Sequence, residues 1–175
     1  MTNSKLRVLL TRRWPQAVEE AMAQVFELRV SPDNKPMTQA ELADGLAWAD
    51  VLCPTVTDVI SGELLGGSAV RTRLLANFGV GFNHIDMAAA KTAGIAVTNT
   101  PGVLTDATAE IAMTLLLNTA RRAGEGERLV RAGQWEGWHP THMLSTQVTG
   151  KTLGIVGMGR IGLALARQAH CECLQ

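Results

Sequence analysis

The sequence lacks long apolar runs and an excess of either charge, which are the signatures of membrane proteins and of nucleic-acid-binding proteins. Its 175 residues include 16 basic and 16 acidic side chains, and no basic run is longer than two residues, as at Arg121 and Arg122. No stretch approaches the roughly 20 apolar residues of a membrane-spanning helix. The apolar run around Leu9 is too short for the core of a signal peptide. We therefore expect neither a nucleic-acid nor a membrane partner.

Cysteine is also scarce. The three cysteines, Cys53, Cys171 and Cys173, form an odd count without the spacing of a disulfide framework, so a cytoplasmic location is the default prediction. His170 lies next to Cys171, but three potential ligands within four residues near the end of the chain form no closed tetrahedral site. The sequence therefore predicts no metal site.

What the sequence does contain is an alternation of short apolar strands and amphipathic helices. Apolar residues make up 46% of the chain, enough for a packed core. Repeated strand–helix units of this length predict an α/β fold with a parallel, doubly wound sheet, whose ligands bind at the carboxyl ends of the strands. The predicted strands are residues 6–10, 27–30, 50–53, 72–77 and 95–98, and the predicted helices are residues 15–26, 42–49, 62–65 and 87–93.

The alternation of short strands and helices ends after Thr98, where we place a domain boundary. A turn at residues 99–102 is followed by a predicted long helix at residues 105–123, capped by Thr105 or Asp106. Met113 and residues 115–117 predict a buried stripe on this helix.

A glycine motif near the end of the sequence predicts a dinucleotide site. Residues 152–156 are typical of a buried parallel strand, and they lead into Gly157-x-Gly159-x-x-Gly162 and a predicted helix at residues 161–169. The first glycine permits a sharp turn, the second lets the backbone approach a pyrophosphate, and the third lets the helix lie close to the strand. The alternative is a structural glycine turn. The acidic residue that follows a second strand about 20 positions later falls beyond Gln175, so the choice between NAD and NADP stays open.

Two loops follow predicted strands and are candidates for ligand binding. In residues 77–83, Gly79 and Gly81 flank Val80, and glycine torsions there could turn successive N–H groups toward a carboxylate. In residues 53–58, Val56 could face the same crevice. Each loop taken alone is also compatible with a simple turn. His84 could be an acid, although a local turn or capping role is favoured because an acid needs an orienting partner.

Three ordered motifs, NFGVGFNHID, NTPGVLTDATAE and GKTLGIVGMGRIG, resemble the D-isomer-specific 2-hydroxyacid dehydrogenase family, especially its glyoxylate/hydroxypyruvate reductase branch. The resemblance covers residues 6–169. It implies a flavodoxin-like substrate domain in residues 1–98 and the start of a Rossmann coenzyme domain in residues 99–175. It also implies NAD- or NADP-dependent reduction of glyoxylate or hydroxypyruvate to the D-2-hydroxyacid, in a homodimer.

The resemblance further assigns residues to sites. It implies that the backbone of Val80 and Gly81 holds the substrate carboxylate, that Val56 lines the pocket and that Thr108 contacts the cofactor. The residues implied to cradle the pyrophosphate are Gly157, Gly159, Arg160, Ile161 and Gly162.

The sequence also departs from the family pattern. The catalytic arginine, glutamate and histidine of the family lie downstream of the glycine motif, so no catalytic residue is assigned, and we expect a C-terminally truncated sequence. Ser145 stands where the family usually has glycine, and the final residues 170–175 match nothing in the pattern. The alternative function is a non-catalytic remnant that binds cofactor, substrate or a partner weakly.

Overall fold

The computed structural model describes residues 5–67 and 69–171, with Cys171 described by its backbone alone. The chain divides between Pro101 and Gly102 into two compact units, a first unit up to Pro101 and a second unit from Gly102. No helix in the described ranges is long and apolar enough to cross a membrane.

The first unit is built on a five-stranded parallel sheet in the order β2-β1-β3-β4-β5. This order is that of flavodoxin-like folds, and the predicted parallel α/β sheet is confirmed. Each strand lies within two residues of its predicted bounds. The strands are β1 (Arg7–Leu10), β2 (Glu27–Val30), β3 (Val51–Cys53), β4 (Leu74–Ala76) and β5 (Ala96–Thr98).

Four helices connect these strands, and local sequence signals set their ends. The Thr38 hydroxyl accepts the backbone N–H of Glu41, and the Glu41 carboxylate accepts the backbone N–H of Thr38, which is a complete capping box. Asp86 caps the fourth helix by accepting the N–H of Ala89, and Gly94 follows that helix with φ +67°. The helices are α1 (Gln16–Val25), α2 (Gln39–Trp48), α3 (Gly62–Leu65) and α4 (Met87–Thr92).

The core of this unit lies on both faces of the sheet. Leu9 and Leu52 pack with the side chains of α2, α3 and α4 on one face. Val8 and Leu10 point to the opposite face, where Met22 of α1 packs against them, because successive side chains alternate across a strand. The packed strands therefore hold the loops at their carboxyl ends in fixed positions.

The described part of the second unit contains three helices: α5 (Thr105–Arg121), α6 (Ala123–Arg131) and α7 (Arg160–Cys171). The prediction of a single helix at residues 105–123 is therefore wrong at its C-terminal end, because α5 ends at Arg121 and α6 begins at Ala123. Arg122 adopts a left-handed conformation with φ +53°, and its guanidinium donates to Glu125 at 2.5 Å and to the carbonyl of Leu144 at 2.9 Å. The expected cap at Thr105 or Asp106 is also wrong, since Leu104 precedes the helix without a side-chain cap.

The strand predicted at residues 152–156 does not form in the part of the second unit that the structure describes. No ladder includes these residues, and Val156 is fully exposed. A parallel strand needs a neighbouring strand for its backbone hydrogen bonds. The described part of the second unit contains no other strand that could pair with residues 152–156. The small core instead joins α5 to α7 through Met113 and Ala169. The stripe of buried side chains predicted on α5 included Met113 and residues 115–117. Met113 is buried, but Leu115 is 59% exposed, so the buried stripe is shorter than predicted.

Candidate functional site

The loops that follow β3 and β4 lie side by side at the carboxyl edge of the sheet. The N–H of Phe78 donates to the carbonyl of Pro54 at 2.8 Å, and Thr55 forms an isolated parallel bridge with Phe78. A Cβ built on Gly79 would lie 3.1 Å from Cγ1 of Val56. The structure therefore brings exposed Val56 next to the loop that contains Val80 and Gly81.

Two asparagine side chains hold the carbonyl groups of this second loop. Nδ2 of Asn77 donates to the carbonyl oxygens of Gly79 at 3.1 Å and of Gly81 at 2.9 Å. Nδ2 of Asn99, which follows β5, donates to the carbonyl of Val80 at 2.9 Å. Three consecutive carbonyl groups are thereby directed toward the protein.

Unlike these carbonyl groups, two N–H groups of the same loop have no hydrogen-bond partner in the part of the protein that the structure describes. Within the described ranges, the backbone N–H groups of Val80 and Gly81 donate to no protein acceptor. A Cβ on Gly81 would meet nothing within 4 Å, so open space adjoins this part of the loop. Gly81 does not adopt a positive φ. Its backbone conformation is therefore open to other residues, and the side-chain amides of Asn77 and Asn99 hold the loop carbonyl groups.

A buried carboxylate fixes the neighbouring loop, which carries Val56. Asp58 is fully buried, and its Oδ2 accepts the Thr11 hydroxyl at 2.5 Å and the N–H of Thr55 at 2.8 Å. Oδ1 has no hydrogen-bond partner among the described protein atoms. This carboxylate joins the end of β1 to the loop after β3.

His84 lies half-buried behind the carbonyl side of the loop. Its Nε2 is 2.9 Å from Oδ1 of Asn77. Burial lowers the pKa of His84 below its usual value, and the negative charge of Asp58 raises it by less. The imidazole therefore favours its neutral form, and Nε2 contacts a protein amide. This contact fits the local structural role that the sequence favours for His84 over that of an acid.

The glycine motif has the close approaches that its sequence suggests. Gly157 has φ +95°, which favours glycine. A Cβ on Gly162 would lie only 2.1 Å from the carbonyl oxygen of Gly157, so a side chain at this position would collide with the backbone. Beside Gly159, a Cβ would meet nothing within 4 Å. The motif combines a tight turn with an open backbone surface.

The first turn of α7 follows this open surface. Arg160 is the first residue of the helix, and the N–H of Leu163 donates to the carbonyl of Gly159 at 2.9 Å. The N–H groups of Arg160 and Ile161 belong to the first turn, which has no acceptor within its own helix. These N–H groups and the helix dipole suit an anion such as a pyrophosphate.

Thr108 lies one turn into α5, the helix that packs against α7. Its side chain is exposed, and its hydroxyl donates to the carbonyl of Leu104 at 2.8 Å. The hydroxyl oxygen can still accept a hydrogen bond from a ligand.

The remaining histidines and cysteines do not form a ligand cluster in the described ranges. No group of three or more His, Cys, Asp or Glu side chains there could hold a metal ion, and Cys173 lies outside those ranges. Burial raises the pKa of Cys53 to about 12, so this thiol stays protonated in the core. The rings of His139 and His142 lie 4.9 Å apart, next to Trp138, which is 82% exposed.

Residues 8–169 match the family model for the D-isomer specific 2-hydroxyacid dehydrogenase, catalytic domain. The chain belongs to this family. The match extends across both units and includes every residue of the two candidate sites. Members of the family use NAD(P) as cofactor.

Relatives of this dehydrogenase family agree with the match. The chain is 43% identical to the glyoxylate reductase of Thermococcus litoralis, over 94% of this chain and 51% of the relative. A solved structure from Polaromonas sp. JS6 66, assigned to the same family, is 43% identical with a TM-score of 0.91, covering 97% of this chain and 53% of that one. A third protein is the NADPH-dependent glyoxylate/hydroxypyruvate reductase of Sinorhizobium meliloti in complex with NADP and malonate. It is 31% identical with a TM-score of 0.74, covering 98% of this chain and 52% of that one. The chain spans about half the length of the relatives it matches.

The sequence interpretation did not identify Asn77 and Asn99 as site residues. A usable signal was present, since an asparagine directly follows both β4 and β5. These two strands are neighbours in the sheet, so their carboxyl ends place both amides at the same edge.

Proposed function

We propose that this chain carries the substrate-binding part and the beginning of the coenzyme-binding part of an NAD(P)-dependent 2-hydroxyacid dehydrogenase. The reaction is reduction of glyoxylate or hydroxypyruvate to the D-2-hydroxyacid. Residues 1–98 form the substrate-binding domain, and residues 99–175 begin the coenzyme domain. The observation that carries the proposal is that the Val80 and Gly81 N–H groups have no protein acceptor in the described ranges, in a loop that adjoins open space at Gly81.

In this proposal the two N–H groups of Val80 and Gly81 bind the carboxylate of the 2-ketoacid. Carboxylate oxygens accept such hydrogen bonds well, because bonds to a charged acceptor are stronger than neutral ones. Val56, which is 58% exposed and adjoins Gly79, contacts the apolar side of a small substrate. The malonate complex of the Sinorhizobium meliloti relative supports binding of a small carboxylate by this family.

The pyrophosphate of the cofactor binds at residues 157–162 in the same proposal. The turn at Gly157, the open backbone at Gly159 and the first-turn N–H groups of Arg160 and Ile161 fit this group. Thr108 contacts the cofactor from α5. These residues are compatible with either NAD or NADP, because none of them is assigned to the ribose 2′ position, where the two cofactors differ. When bound, the nicotinamide supplies the hydride.

Binding of the cofactor to these residues alone is expected to be weak. They supply the pyrophosphate contacts without a carboxylate for the ribose, so we expect a millimolar or weaker dissociation constant, equivalent to about 4 kcal/mol or less. A micromolar constant measured by calorimetry would contradict this assignment.

We assign no catalytic residue. Reduction of a ketoacid needs a proton donor at the carbonyl oxygen and a cation near the carboxylate, and His84 directs Nε2 to Asn77 instead. Residues 1–175 alone should therefore show no glyoxylate-dependent oxidation of NADH or NADPH in a spectrophotometric assay. Turnover above a buffer blank would show that one of these residues is catalytic.

We further propose that the complete protein is a cytoplasmic homodimer. Trp135 and Trp138 of the second unit are 55% and 82% exposed, and exposed tryptophans are enriched where protein surfaces associate. Cys53 is a free thiol, as is usual in a reducing compartment. Light scattering and cell fractionation test these two inferences.

The proposed sites can be tested by NMR on the ¹⁵N-labelled chain. Glyoxylate should shift the amide signals of Val80 and Gly81, while sodium chloride at equal ionic strength should not. NADH or NADPH should shift the signals of residues 159–162, less so in Arg160→Gln. Arg167→Gln, on the same helix, is the matched control. Glyoxylate that leaves both loop amides unchanged would overturn the substrate site.

A further inference from the structure

The buried side chain of Asn77 has only one orientation that satisfies its neighbours. Nδ2 faces the carbonyl oxygens of Gly79 and Gly81 at 3.1 and 2.9 Å, and an amide group has two N–H donors to give. Both donors are therefore in use. Oδ1 must point the other way, toward Nε2 of His84 at 2.9 Å.

This orientation fixes the tautomer of His84. Because Oδ1 of Asn77 can only accept, Nε2 of His84 must carry the proton in the hydrogen bond. In the neutral ring Nδ1 is then unprotonated. The lowered pKa of His84 agrees with a neutral ring at neutral pH.

The held carbonyl groups also determine where the free N–H groups point. In a trans peptide the carbonyl of one residue and the N–H of the next lie on opposite sides of a rigid plane. Asn77, together with the N–H of Thr100 at 3.1 Å, holds the carbonyl of Gly79 and so directs the N–H of Val80. Asn99 holds the carbonyl of Val80 and so directs the N–H of Gly81.

We propose that Asn77, His84 and Asn99 are positioning residues for the substrate carboxylate: Asn77, held by His84, aims the N–H of Val80, and Asn99 aims the N–H of Gly81. The inference rests on the proposed substrate site and deepens it. His84 acts through Asn77 and does not touch the substrate. The pair keeps the loop in the bound conformation before the ligand arrives, which reduces the entropic cost of binding.

The main test compares Asn77→Asp with Asn83→Asp in the labelled chain. Asn77→Asp has nearly the same shape but cannot donate to the loop carbonyls, whereas Asn83→Asp adds the same charge to the same exposed loop segment. Glyoxylate affinity, read from the Val80 and Gly81 amides, should fall by about 10-fold or more in Asn77→Asp relative to Asn83→Asp, a change that corresponds to one lost hydrogen-bonded anchor. Equal affinities in the two variants would overturn the proposal.

A second pair covers the case in which Asn77→Asp does not fold. His84→Gln keeps an N–H donor near the position of Nε2, and His84→Leu removes it. We expect His84→Gln to bind glyoxylate like the wild type and His84→Leu to bind several-fold more weakly. Equal affinities in these two variants would also refute the role of His84.

A ligand-free measurement separates this inference from the proposed function. The ¹⁵N shifts of the His84 ring should show a protonated Nε2 and an unprotonated Nδ1, and a ring protonated at Nδ1 would overturn the arrangement. If the ring has the expected tautomer but glyoxylate shifts neither loop amide in the wild type, the substrate site fails, and with it the positioning role for that substrate.

Discussion

The two units of the chain differ in how completely they bury their apolar side chains. In the first unit Leu9, Leu52 and Leu75 of the sheet are 2% exposed or less. In the second unit the described helices leave Ile111 and Leu115 about three-fifths exposed, at 60% and 59%. Both units contain sequence segments that predict helices and strands. In the described ranges, the apolar segments that form strands are those that pair with a neighbouring strand, and residues 152–156 do neither.

The comparison is most sharply tested by limited proteolysis. Residues 132–150 lie outside helices and strands and are mostly exposed, so endoproteinase Glu-C should cut first after Glu136, and a resistant fragment near residues 1–100 should remain. The expected difference in cleavage rate is orders of magnitude, because cleavage in the first unit requires unfolding of the packed sheet. Mass spectrometry identifies the products.

Glu136→Gln is the matched control for this experiment. It removes the first cleavage site without changing the fold, so the early product should disappear while the fragment near residues 1–100 still accumulates. A resistant product that spans the whole chain in a monomer would show that the second unit is as stable as the first.

Truncation of buried and exposed leucines should differ by several kcal/mol. Leu52→Ala removes a fully buried side chain from β3 and should cost about 2–5 kcal/mol of the free energy of unfolding of the first unit. Leu115→Ala changes an exposed position and should stay within about 0.5 kcal/mol. Urea denaturation followed by tryptophan fluorescence measures both. A comparable loss in the two variants would mean that Leu115 has a partner in solution.

The glycine motif offers a smaller effect within the second unit. Gly162→Ala places a Cβ against the carbonyl of Gly157, and overpacking of this kind costs about 1–3 kcal/mol. Hydrogen exchange of the α7 amides should become faster in Gly162→Ala. Gly159→Ala faces open space and should leave that exchange unchanged. Identical rates in the two variants would refute the close approach at Gly162.

The smallest effect concerns pH and His84, which contacts Asn77 in the candidate substrate loop. Burial lowers the pKa of His84 from its usual 6.5, so the unfolded chain takes up a proton at a higher pH than the folded chain does. The stability of the first unit should therefore fall as the pH drops below about 6.5, and His84→Gln should flatten this dependence. Denaturant titrations at pH 7.5 and 5.5 measure the difference. A steeper pH dependence in the variant would contradict the sign of the shift.

Much of the first unit could be predicted from sequence because its signals are local. Alternating apolar residues define the strands, and the Thr38–Glu41 capping box defines the start of α2. The break at Arg122 could not be predicted in this way, since its left-handed conformation accompanies a contact with the distant Leu144 carbonyl. Residues 152–156 have the sequence of a strand, but a strand also depends on its neighbour.

The candidate site shows the same limit. The sequence identifies Val80 and Gly81 as backbone donors through the glycines around them and through family resemblance. The amide groups that direct these donors come from Asn77 and Asn99, which are distant in sequence from each other. Their common position depends on the pairing of β4 with β5, which a pattern of single residues does not encode.

Residue-resolved hydrogen exchange of the monomeric chain tests the central comparison most directly. The account predicts slow exchange for the hydrogen-bonded amides of β1, β3 and β4. It predicts exchange near the unfolded rate for residues 152–156, which pair with no strand among the residues that the structure describes. Slow exchange at residues 152–156 in the monomer would contradict it, because those amides would then have partners within the same chain.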